Sequence, residues 1–112
     1  MDDSVIYFMD LSISEINNLR DIEIKAECPD LSWWREGGVK VEAKFEHNFF
    51  DVTVEYNKKT YAFAANGKPL YKPIVKNECS YQVEEDAIKI CLRKEEPVTW
   101  RGRDGSVKIR AE

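Results

Sequence analysis

At 112 residues with 43% hydrophobic content, the chain has the size and apolar share of one domain that folds around one core without metal or disulfide staples. Its formal charge of −4 arises from 17 basic and 21 acidic residues spread along the sequence. That spread argues against a nucleic-acid partner and against a polybasic membrane anchor. The longest apolar run, Val5 to Leu11, is broken by Asp10 and is too short for a membrane span or a secretory leader, so a soluble cytoplasmic protein, also able to enter the nucleus, is expected.

Residues 1–20 read as an N-terminal strand and a short helix packed on the rest of the domain, which occupies 21–112. Val5 to Leu11 is nearly continuous in apolar side chains, as in a strand, and Ser12-x-x-Glu15 resembles a capping box that opens a helix over Ser12 to Leu19. From Asp21 onward the apolar residues recur with period two, the mark of half-buried strands. Ile22, Ile24 and Ala26 alternate with Glu23, Lys25 and Glu27. Val39, Val41, Ala43 and Phe45 form a second strand, and beyond the turn Glu46-His47-Asn48 a third carries Phe50, Val52, Val54 and Tyr56. Asn57-Lys58 then separates this strand from Tyr61, Phe63 and Ala65, giving a meander.

Lys68-Pro69-Leu70-Tyr71-Lys72-Pro73 cannot lie inside a sheet, because proline lacks the ladder N–H and restricts its predecessor, so it reads as a crossover loop. Tyr81 and Val83, then Ile88, Ile90 and Leu92, give two strands joined by Glu84-Glu85-Asp86. Val107 and Ile109 add a last strand or a tail after Asp104-Gly105. Strands at this spacing predict an all-β fold, an antiparallel β-sandwich.

Chemistry-bearing residues are sparse. There is one histidine, His47, in a predicted turn, and no G-x-S-x-G, H-E-x-x-H or phosphate-binding glycine loop, so no enzyme is expected and no cofactor or metal. Cys28, Cys79 and Cys91 are widely spaced and form no C-x-x-C pair, which suits a reducing compartment, with Cys91 a small hydrophobe between Ile90 and Leu92. The aromatic residues carry more information. Trp33 and Trp34 are adjacent, so in extended chain only one of the two indoles readily turns inward, and Trp100 follows Glu95-Glu96-Pro97 as either a core lid or a partner anchor.

Phe50-Asp51-Val52-Thr53-Val54, Leu70-Tyr71-Lys72-Pro73-Ile74, Glu78-Cys79-Ser80-Tyr81-Gln82-Val83 and Ile88-Lys89-Ile90-Cys91-Leu92-Arg93-Lys94, followed by Trp100, resemble in order and spacing the CS domain family. That family includes the small acidic co-chaperone of heat-shock protein 90, calcyclin-binding protein and nuclear-distribution proteins. The resemblance covers Asp21 through Trp100 and implies a seven-stranded antiparallel β-sandwich shared with small heat-shock proteins, and a role in binding rather than catalysis. Tyr7-Phe8-Met9-Asp10 departs from the family's opening Tyr-x-Trp-x-Gln strand. What the resemblance implies for function is a co-chaperone or adaptor, monomeric or weakly dimeric, that docks on heat-shock protein 90 through Arg93, Lys94 and Trp100. A scaffold subunit of a ubiquitin-ligase or motor-linked complex, relying on Trp33 and Trp34, is the alternative. Passive chaperone activity of the small heat-shock kind, with Val107-Lys108-Ile109 as the tail, ranks third.

Overall fold

Alternation along the strand β5 (Phe50–Tyr56) turns Phe50, Val52 and Val54 to one face, where all three are buried, and Asp51, Thr53 and Glu55 to the other. The same device repeats through the chain. The computed structural model describes residues 5–27, 39–56, 58–84 and 86–111, and within them eight strands build two four-stranded sheets. One sheet joins β1 (Val5–Tyr7), β4 (Lys40–Phe45), β5 and β6 (Lys59–Ala62) in the order β1-β6-β5-β4. The other joins β2 (Leu11–Ile16), β3 (Asp21–Glu27), β7 (Ser80–Val83) and β8 (Ala87–Arg93) in the order β2-β3-β8-β7.

The sequence therefore specifies the all-β sandwich correctly, with one more described strand than the seven expected and one parallel pair, β1 with β6. The meander β4-β5-β6 closes, with Phe45 opposite Phe50 and Val54 opposite Tyr61, but its third strand stops at Ala62, short of Phe63 and Ala65. Asn66 extends it: β6 ends at Ala62 opposite Thr53, and the Asn66 side-chain amide then takes over the ladder, accepting from the Val52 N–H at 3.1 Å and donating to the Val52 carbonyl at 2.8 Å. Gly67 follows with φ +71, a left-handed turn in which a side chain would be strained.

Three expectations are corrected. Ser12 to Leu19 forms no helix: Leu11–Ile16 is a strand paired antiparallel to β3 along its whole length, because Leu11, Ile13 and Glu15 share one face opposite Ala26, Ile24 and Ile22. Asn17, Asn18 and Leu19 then turn the chain with φ of 55, 58 and 69. The run Val5 to Leu11 is not one strand. Its first half pairs with β6, Phe8 enters the core, Met9 is 88% exposed, and Leu11 begins a strand of the opposite sheet. Finally, the segment from Val107 to Ile109 forms no strand: Val107 bridges Arg101, Arg110 bridges Leu70, and Ile109 between them is buried.

The core lies between the sheets and is built from Ile22, Ile24, Phe50, Val52, Val54, Phe63, Ile88, Ile90 and Leu92, closed at one end by Leu70, Ile74, Trp100 and Ile109. Phe8 packs its ring 4.8 Å from that of Phe63. The proline-bearing loop carries the chain from the first sheet to the second and contributes Leu70 and Ile74 to the core on the way. Among the described residues no helix is long and apolar enough to cross a membrane.

Candidate protein-interaction surface

β8 decides which of the sequence-selected side chains can meet a partner. Its register sets Ile88, Ile90 and Leu92 against Ala26, Ile24 and Ile22 inside, and Lys89, Cys91 and Arg93 against Lys25, Glu23 and Asp21 outside. Ser80 and Gln82 of β7 and Ser12 and Ser14 of β2 continue that outer face on either side. The result is a twisted, solvated sheet surface of mixed charge.

Arg93 sits at one end of this face and is held in place. Its Nε donates to Asp21 and its Nη1 to Glu78 at 3.2 Å, while Asn17 from the β2–β3 turn donates to the other Asp21 oxygen. Burial alone would push the Asp21 carboxyl up; the hydrogen bonds from Arg93 and Asn17 and the nearby positive charge outweigh it and hold the group below the usual carboxylate range. Further along, Lys25 and Lys89 converge on Glu84 at 3.6 and 3.8 Å. Exposed pairs of this kind contribute little to stability, yet they orient charges that a partner can meet.

Lys94 and Trp100 fall elsewhere. One residue beyond Arg93 the alternation turns Lys94 inward, leaving it 3% exposed, and Trp100 is fully buried. The expectation of basic groups beside an exposed indole is corrected here: only Arg93 of the three reaches the surface. Lys94 instead bonds Glu15 of β2, and its Nζ also donates to the Val98 carbonyl at 2.8 Å and lies 5.7 Å from the Trp100 ring centre. Glu15 accepts further bonds from the Thr99 hydroxyl and the Trp100 backbone N–H, both at 2.7 Å. Desolvation raises the Glu15 pKa, but these bonds and the Lys94 charge more than offset it, so the carboxyl lies below its ordinary value. Trp100 meets Tyr71 edge-on at 6.1 Å, and its Nε1–H has no hydrogen-bond partner among the described residues.

Trp33 and Trp34 lie outside the described residues, as does Cys28. Burial raises the thiols of Cys79 and Cys91 above their ordinary pKa, which makes them poor nucleophiles at neutral pH. His47 is an exposed turn residue 3.5 Å from the Glu95 carboxylate. Among the described residues no three His, Cys, Asp or Glu side chains converge in a way that would hold a metal ion.

The sequence reading missed Glu15 because it assigned that residue to a helix cap. The signal was present: Glu15 continues the Leu11-Ile13 face just as Lys94 continues Ile88-Ile90-Leu92, so two opposite charges occupied inward positions.

The described residues form a two-sheet sandwich with one solvated sheet face of mixed charge. The family model of the CS domain matches residues 17–94, and the chain belongs to the CS domain family. CS domains are non-catalytic protein-interaction modules of the kind found in heat-shock protein 90 co-chaperones. No curated protein matches the chain.

Proposed function

We propose that this protein is a non-enzymatic adaptor that docks on heat-shock protein 90 as a monomer in the cytoplasm or nucleus, through the outer face of the β2-β3-β8-β7 sheet with Arg93 as its anchor. The observation that carries the reading is the Asp21–Arg93–Glu78 arrangement, which fixes a guanidinium at one end of a solvated sheet face that carries Lys89 and Lys25 further along. A guanidinium oriented before binding loses less side-chain entropy on meeting a carboxylate than a free one does. Membership of a family found in co-chaperones of this chaperone supports the partner.

Isothermal calorimetry with purified heat-shock protein 90 and nucleotide tests it. Lys25→Glu with Lys89→Glu spares the Asp21 ion pair and is expected to weaken binding by about tenfold, less at high salt, as exposed interface charges do. Trp33→Ala should leave this affinity unchanged. Absence of wild-type binding overturns the reading, and loss of binding on Trp33→Ala alone would move the contact to the β3–β4 connection.

A further inference from the structure

The charge that looks dispersed in the sequence is not dispersed in space. The segment 66–73 and the C-terminal segment 101–111 carry Lys68, Lys72, Arg101, Arg103, Lys108 and Arg110 against one carboxylate, Asp104: six of the 17 basic residues and one of the 21 acidic ones. The fold brings these two segments together. Tyr71 N–H donates to the Ile109 carbonyl at 2.8 Å, Ala111 N–H to the Pro69 carbonyl at 2.9 Å, and Leu70 pairs with Arg110. Tyr71, Gly102, Arg103, Asp104 and Lys108 line one open cleft, and Lys108, Ile109, Arg110 and Ala111 line the next, so Lys108 joins the two. Lys72 Nζ stands 5.5 Å over the Tyr71 ring. The Asp104 carboxylate accepts from Ser106 N–H at 3.1 Å and its hydroxyl at 2.8 Å, and these bonds together with the nearby Lys108 charge hold it below the usual carboxylate range.

We propose that this end of the sandwich binds an extended acidic segment of a partner protein, a surface separate from the Arg93 face and independent of the chaperone reading. Buried Ile109 turns Lys108 and exposed Arg110 to the same side of an extended chain, two residues apart. That spacing, roughly 6.5 Å in a strand, is the repeat at which alternate carboxylates of an extended peptide recur. Arginine forks match carboxylates bidentately, and the half-exposed Tyr71 offers apolar area for the peptide's stems. A long polyanion is a poorer fit, because outside this patch acidic residues outnumber basic ones heavily and would repel a duplex or an anionic bilayer that spread past it.

Fluorescence anisotropy of the full chain with a labelled peptide alternating Glu and Ser tests the proposal, beside its Gln-for-Glu counterpart, a single-stranded oligonucleotide and phosphatidylserine vesicles. The acidic peptide should bind, the Gln peptide at least about tenfold more weakly, and the affinity should fall as salt rises. Arg103→Glu with Arg110→Glu, both exposed positions, should weaken it about tenfold, while Lys40→Glu with Lys44→Glu on β4 leaves it unchanged. Equal binding of the Gln peptide, a salt-independent affinity, or equal loss in the β4 variant overturns the proposal. Tighter binding of the oligonucleotide or vesicles overturns the assignment to a protein partner.

Discussion

Removing the Glu15 carboxylate should cost far more stability than an average charged residue on a sheet. In Glu15→Ala the Lys94 ammonium, whose side chain has no solvent exposure, keeps among the described residues the Val98 carbonyl and the Trp100 ring. Breaking a buried pair from one side typically costs about 3–5 kcal/mol, and the Trp100 N–H and Thr99 hydroxyl lose their acceptor as well. Against a total of about 5–15 kcal/mol for a domain of this kind, the loss is a large fraction. Replacing both partners, Glu15→Leu with Lys94→Met, should recover most of it, because the buried charges then leave together and the groups that lose a partner, the Trp100 backbone N–H, the Thr99 hydroxyl and the Val98 carbonyl, are neutral. Urea unfolding followed by circular dichroism and tryptophan fluorescence measures both variants. A Glu15→Ala cost under about 1 kcal/mol, or a double variant weaker than the single one, would refute the coupling. The pH dependence follows from the direction of the shift. A carboxyl whose folded pKa is depressed stabilises the fold above its unfolded value, about 4.3, and loses that contribution as pH falls through the folded value. The wild type should therefore lose stability below about pH 4.3, and Glu15→Gln should lose less over that range.

Other substitutions check the register and the turns. Val52→Asp or Ile90→Asp should abolish folding, since both sites are fully buried, while Thr53→Ser and Lys89→Gln stay folded; circular dichroism distinguishes them, and similar behaviour of the two sets would displace the register by one residue. Trp100→Ala should cost about 3–5 kcal/mol in urea unfolding through the cavity it leaves, so any binding loss in that variant must scale with unfolding. Asn66→Ala should cost about 1–3 kcal/mol by orphaning the Val52 N–H and carbonyl together, and Asn66→Asp should be poorer than Asn because it cannot donate to the carbonyl. Leu19→Gly should raise the melting temperature by releasing roughly 1 kcal/mol of left-handed backbone strain.

The strands from Asp21 onward were legible because most write a buried face into a two-residue period; Ile22-Ile24-Ala26, Phe50-Val52-Val54 and Ile88-Ile90-Leu92 all emerge inside as read, whereas Tyr81 and Val83 of β7 alternate but stay exposed. The ordered motifs between Phe50 and Trp100 were enough to indicate the CS family, which the match over residues 17–94 shows. Ser12-x-x-Glu15 misled because four residues fit a helix cap and a strand equally well, and the deciding partner of Glu15 lies 79 residues away. Arg93 and Lys94 could be selected as basic residues, but their separation into one outward and one inward side chain depends on where β8 meets β3. Periodicity is a property of neighbours along the chain, and so the sequence by itself determined most strands from Asp21 onward and most of the core, but not which strands share a sheet. Ion pairing, the burial of Trp100 and the gathering of six cations at one end depend on which distant segments the two sheets bring face to face, and only the tertiary structure decided those.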